Sequence, residues 1–510
     1  MADIEWSHLA RRICGQLVLQ SDPKFGSQVQ SLVWNGLKPE RSPGAIAQCT
    51  KEGDVRECVL FARDNGLKVI VRGGGHNWNG TTVRDGFLVI DVSRLNEVHI
   101  DAARRTAIIQ PVVTNEKMIA ALEKRGLAYQ VGTCPTVPAS GYLLGGGLGL
   151  NTQKWGAGCH GVEAVDIVTA NGETIVADET HNADLYWAAR GGSQGFPGVV
   201  VRYHLKAQRY PKGIHQATCV YRLNESQDFV EWLSKFILEL PPEVQSNTLI
   251  TSGLGLRLAE MAHESEESEG AEDDWHVLPD VLRETLDLVL GQDAGLLDEH
   301  VTRGAWLTYV AAAFADSEKE AQEMLAPFKK PPAGKQPLIW SSFLPSSFWI
   351  LNTFVGALFP KGRQYVADYH WVDLSLADVV KGVSTEFAKE RTVDSFVLVA
   401  SYQTPPAQMA PSGSTCFSMS SHHLVGLYGI GDHRDDAPFI QDWVANMRSL
   451  IEPQSLGLYI GEADLDIAPG RAAKAYSPES WAKLRELKQK YDPDNLFAWF
   501  LNDEPPARAT

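Results

Sequence analysis

Apolar residues recur at helical and strand spacing through residues 54–206. The apolar positions of 55–62 lie on one helical face, so we predict a helix that has Asp54 as its N-cap and ends at Gly66. A second capped pattern predicts a helix at 114–126, and continuous apolar runs predict strands at 68–71, 87–92 and 107–113. This alternation, interrupted by glycine clusters, is typical of a ligand-binding domain.

The pair Asn171–Gly172 stands between the apolar runs 164–169 and 173–177. Asn-Gly readily adopts the positive φ angles of a tight hairpin turn, so an antiparallel hairpin is predicted here. Antiparallel strands, together with the alternation of strands and helices, predict the α+β class.

The pattern changes from about residue 209 to fewer glycines and longer helical repeats. Strands of a second sheet are predicted at 396–401 and 423–428, and an amphipathic helix is predicted at 478–491. The stretch 260–274 contains eight carboxylates and no Lys or Arg, which is typical of a solvated surface. We assign no chemistry to it.

Composition narrows the classes of protein and partner. The 510 residues are 44% hydrophobic and 21% charged, which is typical of a globular protein of enzyme size. The 46 basic and 63 acidic residues give a formal charge of -17, which disfavours nucleic acid and anionic lipid surfaces as partners. The longest strongly apolar stretch, 306–315, is about half of the ~20 residues that a membrane-spanning helix needs. Charges interrupt the first twenty residues where a secretory signal needs an apolar core, so a cytoplasmic location is predicted.

Cysteine and histidine spacing predicts no metal site. The seven cysteines are scattered without a CxxC pair, which argues against a disulfide framework and against zinc. His422 and His423 are adjacent on a predicted strand, where neighbouring side chains point to opposite faces.

Two glycine clusters carry the candidate chemistry. The first, 72–80 (RGGGHNWNG), follows a predicted strand, and its three consecutive glycines allow backbone N–H groups to converge on an anion such as phosphate. A flexible turn beside a core histidine is the alternative interpretation. The second, 145–149 (GGGLG), departs from the dinucleotide-binding fingerprint because Leu150 replaces its third glycine. A Rossmann nicotinamide site is therefore disfavoured, and ATP chemistry lacks its GxxxxGKS or GxxxxGKT motif.

A nucleophilic side chain accompanies each glycine cluster. His76 closes the first cluster, and Cys134 precedes the second within the segment CPTV. Imidazole and thiolate can both form bonds to electrophilic carbon atoms. This combination is the one that a doubly tethered flavin requires.

Four segments in this order resemble the FAD-linked oxidases of the berberine bridge enzyme-like group, within the vanillyl-alcohol oxidase or PCMH superfamily. They are 71–80 (VRGGGHNWNG), 132–149 (GTCPTVPASGYLLGGGLG), 187–192 (WAARGG) with Phe196 and Gly198, and 491–497 (YDPDNLF). The similarity covers most of residues 40–206 and about the last 30 residues. The middle of the chain is only loosely similar.

The resemblance implies the domain organisation and the cofactor. It implies a PCMH-type FAD-binding domain split into 1–206 and 451–510, with a substrate-binding domain, an antiparallel sheet covered by helices, inserted at 207–450. It also implies FAD bonded through His76 to the flavin 8α-methyl and through Cys134 to C6. Val137 matches a position where the family places a small apolar residue near the oxygen-reactive face. The other residues expected to contact the cofactor are Arg72, Gly73, Gly74, Gly75, Asn77, Gly80, Gly141, Tyr142, Gly146, Gly147, Gly149, Gly198, Val200 and Asn495.

The chain departs from the family pattern at two places. His160–Gly161 stands where the family usually has Asp-Asn, which predicts an altered flavin contact. The segment 459–462 (YIGE) corresponds to the family's Y-x-N-Y strand, so Glu462 replaces the Tyr that serves as base in many relatives.

Glu462 is therefore the first candidate for the catalytic base. A carboxylate can accept a substrate proton if burial raises its pKa toward the working pH. An ordinary exposed Glu in an acidic loop is the alternative interpretation. Tyr459 and Tyr428 are further candidates, and packing is the alternative role for each.

These observations predict an FAD-dependent oxidase that transfers hydride from an alcohol or related group to flavin N5, with O2 as the acceptor and H2O2 as the product. The predicted partners are O2 and a small-molecule substrate, such as an oligosaccharide, a natural product or a phenolic alcohol. Two alternatives remain, a flavin dehydrogenase that uses another electron acceptor and a flavin-binding protein without turnover.

Overall fold

The chain divides into two units in the computed structural model, which describes residues 4–252, 304–389, 392 and 394–506. The first unit comprises Met1–Tyr210, Pro406–Ser420 and Gly457–Thr510, and the second comprises Pro211–Pro405 and Ser421–Leu456. The acidic stretch 260–274 lies outside the described residues.

The first unit contains two larger sheets and a short two-stranded pair. Its helices up to residue 210 are α1 (Trp6–Arg12), α2 (Phe25–Ser31), α3 (Glu52–Asp64), α4 (Asn115–Glu123), α5 (Ala139–Leu144), α6 (Thr152–Trp155) and α7 (Ala183–Ala188). Its strands are β1 (Gln16–Leu19), β2 (Ala45–Gln48), β3 (Val69–Arg72), β4 (Leu88–Asp91), β5 (Val98–Asp101), β6 (Thr106–Ile109), β7 (Leu127–Ala128), β8 (Val162–Thr169), β9 (Thr174–Asp178), β10 (Gly198–Lys206) and β11 (Gln208–Arg209). The sheet orders are β1-β2-β4-β3, β5-β6-β10-β8-β9 and β11-β7.

Strands β2, β4 and β3 are parallel, whereas the five-stranded sheet is antiparallel. The predicted hairpin is confirmed as β8 and β9, joined by a turn in which Gly172 has a φ of 77°. Strand β3 lies beside β4 and leads directly into the first glycine cluster.

The predicted N-cap of α3 is wrong. The helix begins at Glu52, so Asp54 lies within its first turn and not ahead of it. The buried Asp54 carboxylate accepts hydrogen bonds from the backbone N–H groups of Cys14 (2.8 Å) and Thr50 (2.9 Å). Burial acts to raise the pKa of Asp54, but these backbone hydrogen bonds outweigh it and lower the pKa. Asp54 thus ties the N-terminal segment to α3. The second predicted helix is confirmed as α4, with Thr114 as its N-cap.

The second unit is built on one eight-stranded sheet. Its elements are β12 (Gly213–Arg222), α8 (Gln227–Ser234), β13 (Val244–Ser252), β14 (Ala305–Ala315), α9 (Glu318–Met324), β15 (Ile339–Pro345), α10 (Phe348–Gly356), β16 (Gln364–Val372), α11 (Leu376–Phe387), β17 (Phe396–Ser401), β18 (His423–Gly431), α12 (Ala437–Ile451) and β19 (Ser455–Leu458). The strand order is β15-β12-β14-β13-β17-β18-β16-β19.

Alternate residues of these strands build the core of the second unit. Val397 and Val399 on β17 point to the same face and share one apolar cluster with Val383 of α11 and Trp443 of α12. The strand pairs around β17 are antiparallel, so an antiparallel sheet is covered by helices on this face. The predicted α+β class is confirmed.

Residues 406–420 belong to the first unit, whereas the predicted division placed them in the substrate-binding domain. The reason is backbone pairing, since the N–H of Cys416 donates to the carbonyl of Trp187 (3.2 Å) and that of Phe417 donates to the carbonyl of Arg190 (3.0 Å). Within the described ranges, no helix is both long and apolar enough to cross a bilayer.

The last helix, α13 (Pro478–Tyr491), matches the predicted bounds. A buried ion pair lies at its C-terminal end. The ammonium of Lys488 donates to the carboxylate of Asp492 and to the carbonyl of Phe497, and neither charged group is exposed. The Asp492 carboxylate also accepts the backbone N–H groups of Leu496 and Phe497. Residues 496–498 in turn hydrogen-bond to Val69 of β3. The ion pair therefore supports the strand that leads to the first glycine cluster.

We expect Asp492→Asn to destabilise the protein by about 3–5 kcal/mol, because it leaves the buried Lys488 charge without its counter-charge. The free energy of unfolding, from urea titration followed by tryptophan fluorescence, measures the effect. Asp494→Asn is the matched control, since Asp494 is exposed and a surface exchange changes stability by about 0.5 kcal/mol at most. Equal stability of the two variants would contradict this role of the pair.

Candidate functional site

The first glycine cluster bends sharply after β3. Gly75 and Gly80 have φ angles of 70° and 57°, and a Cβ on Gly75 would lie 2.0 Å from the carbonyl oxygen of Leu32. Only glycine fits there. Arg72 braces this loop, because its guanidinium pairs with Asp91 (3.3 Å) and donates to the carbonyl of Gly74 (3.3 Å).

The backbone N–H groups of this loop are the second feature. Five consecutive groups, from Gly73 to Asn77, donate no hydrogen bond to any described part of the chain. Of these five residues Gly75 is buried and the others are partly exposed. Consecutive N–H groups that point into one concave loop suit an anionic ligand.

His76 lies at the end of these donors with its imidazole stacked on Trp34, at a centroid distance of 4.9 Å and an interplanar angle of 23°. Burial lowers the pKa of His76 to about 4, and the positive charge of Arg72 contributes to this lowering. A hydrogen bond to the backbone of Thr136 acts in the opposite direction but is outweighed. The imidazole is therefore neutral near pH 7, which leaves a ring nitrogen with a lone pair to act as a nucleophile.

Cys134 lies on the loop that contains Thr136. The buried Asn115 of α4 holds this loop, because its side chain donates to the carbonyl of Cys134 (2.8 Å) and accepts the N–H of Gly132 (3.1 Å). The Cys134 sulfur lies 3.7 Å from the Thr136 hydroxyl. Burial raises the pKa of the Cys134 thiol, and the negative charge of Glu462 adds to this rise. The two predicted tether residues thus lie on loops that meet at Thr136.

The second glycine cluster has a different role from the first. The N–H groups of its four glycines are already used; for example, that of Gly146 donates to the carbonyl of Leu143 and that of Gly147 donates to the hydroxyl of Tyr459 (3.3 Å). A Cβ on Gly147 would lie 2.7 Å from the ring of Tyr142. Glycine is needed here for close packing on aromatic rings. The first cluster is therefore the better candidate for binding phosphate.

The segment 459–462 is a turn, whereas the resemblance placed a strand there. The N–H of Glu462 donates to the carbonyl of Tyr459 (3.1 Å), which closes the turn directly after β19. The indole N–H of Trp78 donates to the carboxylate of Glu462. Glu462 is therefore not an isolated surface carboxylate, because it lies against the His76 loop and acts on the Cys134 thiol.

The two candidate tyrosines have other contacts. Tyr459 is 6% exposed, and its hydroxyl oxygen is engaged by Gly147. Tyr428 belongs to the second unit, where its ring stacks on Phe396 at 4.5 Å and its hydroxyl lies 2.9 Å from that of Tyr369. These contacts are those of packing residues. Glu462 remains the first candidate for the base.

The remaining predicted contact residues stay predictions. Tyr142 donates its hydroxyl to the carbonyl of Gln130 (2.8 Å), and Asn495 adopts a φ of 51° in the turn after Asp492. Both have structural reasons for their identity. Gly198 and Val200 lie on β10, Gly141 lies on α5, and Gly149 packs on the backbone of Val131.

Comparisons with known proteins identify the class of enzyme. Residues 43–178 match a family model described as an FAD binding domain, and residues 458–502 match one described as berberine and berberine like. The chain is 26% identical to the (R)-6-hydroxynicotine oxidase of Paenarthrobacter nicotinovorans over 97% of both chains. It is 25% identical to the xylooligosaccharide oxidase of Thermothelomyces thermophilus over 91% of this chain and 88% of that one. This protein is an FAD-linked oxidoreductase with an FAD binding domain and a berberine-like segment.

A solved structure supports the fold of this FAD-linked oxidoreductase. The crystal structure of 6-hydroxy-D-nicotine oxidase from Arthrobacter nicotinovorans superposes with a TM-score of 0.76 at 20% identity, covering 97% of this chain and 98% of that one. The resemblance read from the sequence is confirmed, and so is the PCMH-type fold.

The first unit of this oxidoreductase fits FAD at the first glycine cluster. Five unused N–H donors suit the negative charge of its pyrophosphate, and the Gly75 backbone leaves no room for a side chain. His76 lies within this cluster, and Cys134 lies on the adjoining loop that contains Thr136. No group of three or more His, Cys, Asp or Glu side chains in the described part of the chain could hold a metal ion.

The structure adds a role for two residues, Trp34 and His160, that the sequence did not reveal. Trp34 carries no motif, and only the fold brings it onto His76. His160 was noticed only as a departure from the family pattern. Its two ring nitrogens are buried without a partner in the structure, and burial, then the charge of Arg190, lowers its pKa to about 4. A neutral imidazole with unused nitrogens suits a contact to the cofactor.

Proposed function

We propose that this protein is an oxidase with bicovalently attached FAD, which oxidises an alcohol or amine carbon of a small organic substrate and reduces O2 to H2O2. The observation that carries the proposal is the convergence at Thr136 of two nucleophiles, the neutral His76 imidazole and the Cys134 thiol, beside unused anion-binding donors. FAD supplies the hydride acceptor and the route of electrons to oxygen.

The tether residues would hold the cofactor from two loops. A nitrogen of His76 would hold the flavin at its 8α carbon, and the sulfur of Cys134 would hold it at C6. Each bond replaces one hydrogen on the flavin carbon and one on the protein atom, and O2 takes up the two electrons and two protons as H2O2. Asn115 and the Trp34 stack fix both loops, so each nucleophile is oriented before the bond forms.

Glu462 would act on the substrate. Its carboxylate would accept the proton of the substrate O–H or N–H while the adjacent carbon gives up hydride. Removing this proton lowers the energy of the carbonyl or imine that forms. The carboxylate lies near Cys134, whose proposed bond is to the flavin. The proton acceptor would then face the substrate O–H or N–H while the hydride acceptor faces the adjacent C–H.

Anaerobic bleaching of the flavin colour tests the function. The panel contains 6-hydroxynicotine and xylooligosaccharides, after the two relatives, and phenolic and polyketide alcohols. We expect at least one compound to bleach the flavin without oxygen, and air to restore the colour with one H2O2 per substrate oxidised. Bleaching with slow recovery in air would favour the dehydrogenase. No bleaching across the panel would favour a flavin-binding protein without turnover.

Val137→Ile tests the oxygen side of the reaction. The Val137 backbone is held by hydrogen bonds to Cys134 (3.3 Å) and Asn115 (3.0 Å), so the exchange alters the side chain and leaves the loop in place. If Val137 lines the oxygen-reactive face, one added methylene should slow reoxidation by O2 several-fold and leave reduction by substrate unchanged. Stopped-flow traces of the two half-reactions measure this, with Val137→Ala as the control that enlarges the space. Equal slowing of both half-reactions would contradict it.

A further inference from the structure

Trp78 connects the His76 loop to the candidate base. It lies two residues after His76, and its indole N–H donates to a carboxylate oxygen of Glu462, 384 residues away in sequence. The rings of Trp78 and Trp34 meet edge to face at a centroid distance of 5.9 Å and an interplanar angle of 74°. Trp34 thus contacts both the His76 imidazole and the Trp78 indole.

The two segments are joined at further positions beside this contact. The side chain of Asn79 donates to Asp464 (2.9 Å) and accepts the N–H of Leu465 (3.3 Å). Arg41 donates to the carbonyls of Asn79 (2.6 Å) and Gly80 (3.2 Å) and pairs with Asp466 (3.4 Å). Successive residues of the loop therefore hold successive parts of segment 462–466. This explains how a glutamate in a turn keeps one position.

We propose that Trp78 is a positioning residue for Glu462, which it orients by its indole hydrogen bond and keeps ionised for proton abstraction. The inference rests on the proposed function, since it concerns the base of that reaction. The indole N–H donates to one carboxylate oxygen of Glu462. A hydrogen bond to the charged form of a carboxylate favours that form.

Further titratable and charged groups lie around Glu462 in this part of the first unit. The Cys134 thiol is the titratable neighbour across the loop, and Asp464 is the nearest carboxylate along the chain. Tyr459 closes the turn, and the Arg41 charge is directed at Asp466 and backbone carbonyls. The indole N–H is a donor to Glu462 that a single exchange can remove.

Trp78→Phe keeps an aromatic ring and removes the N–H donor. We expect the ionisation midpoint of Glu462 to rise by about one pH unit, which is a tenfold change in its ionisation constant. Infrared pH-difference spectra of the flavin-loaded protein measure this midpoint from the protonated-carboxyl band that Glu462→Gln removes. Trp6→Phe is the matched control, because Trp6 packs on Phe61 elsewhere in the first unit. It should leave the midpoint unchanged.

The same variants separate this inference from the proposed function. With a substrate that bleaches the flavin, Trp78→Phe should move the acid limb of the kcat/KM profile upward by the same amount, and kcat at alkaline pH should fall because the ionised carboxylate is no longer oriented. An unchanged midpoint and profile in a variant that retains flavin overturns the role of Trp78. If Glu462→Gln is itself as active as wild type, the base assignment fails whatever Trp78 does.

Discussion

The double variant His76→Ala/Cys134→Ala is expected to lose its flavin on acid denaturation, whereas each single variant retains it. Either bond alone is enough to hold the cofactor mass on the unfolded chain, and non-covalent contacts do not survive unfolding. The mass of the denatured polypeptide should exceed that of the chain by one FAD in wild type and in both single variants. In the double variant it should equal that of the chain alone.

The visible spectrum of the denatured protein distinguishes the two bonds, because each single variant leaves a different flavin substituent. Cys159→Ala is the matched control for the thiol, since Cys159 is a fully buried cysteine whose pKa is raised by burial to about 12. It should keep the full adduct mass. Release of all flavin from denatured wild type would end the tether hypothesis and leave a non-covalent FAD enzyme.

The order of the two bonds follows from the electrostatics of the loops. His76 is neutral and nucleophilic near pH 7, whereas burial and the Glu462 charge hold the Cys134 thiol protonated. We therefore expect the single variant that keeps His76 to load flavin at neutral pH faster than the one that keeps Cys134.

Local chemistry made part of this site predictable from the sequence. A run of three glycines after an apolar strand is typical of a tight turn or an anion-binding loop. His76 lies within the first such run's segment, and Cys134 lies in the segment CPTV ahead of the second glycine cluster. The elements that position them, β3, α4 and α13, also carry strong periodicity and caps, so their bounds were predicted within a few residues. These are properties of contiguous residues, which a sequence displays directly.

Contacts between distant segments could not be predicted in this way. The stack of Trp34 on His76 and the Trp78–Glu462 hydrogen bond depend on how loops fold over one another, and no spacing along the chain encodes them. The return of 406–420 to the first unit has the same origin, because it is made by backbone hydrogen bonds at Trp187 and Arg190. Strand propensity likewise gave no signal that 459–462 forms a turn.

Glu462→Gln is expected to reduce the rate of flavin reduction by substrate about 10²–10⁴-fold, because the amide cannot accept the substrate proton. The exchange preserves the shape of the side chain, and the amide oxygen can still accept the Trp78 N–H. We therefore expect the variant to fold and to retain covalent flavin. Anaerobic stopped-flow reduction at saturating substrate measures the loss, and the mass of the denatured protein verifies the flavin.

The pH dependence of flavin reduction should also differ between wild type and Glu462→Gln. A base must be ionised to accept a proton, so the wild-type rate should fall as the pH drops below the Glu462 ionisation midpoint, and Glu462→Gln should lose this acid limb. Asp464→Asn is the matched control, since Asp464 lies two residues on in the same segment and bonds to Asn79. Its rate should stay within about tenfold of wild type, which is below the usual contribution of a general base. A comparable loss in both variants would show that the segment's structure, and not the Glu462 carboxylate, limits the rate. Near-wild-type flavin reduction by Glu462→Gln would instead transfer the role of catalytic base to Tyr459 or Tyr428, which Tyr→Phe variants would test.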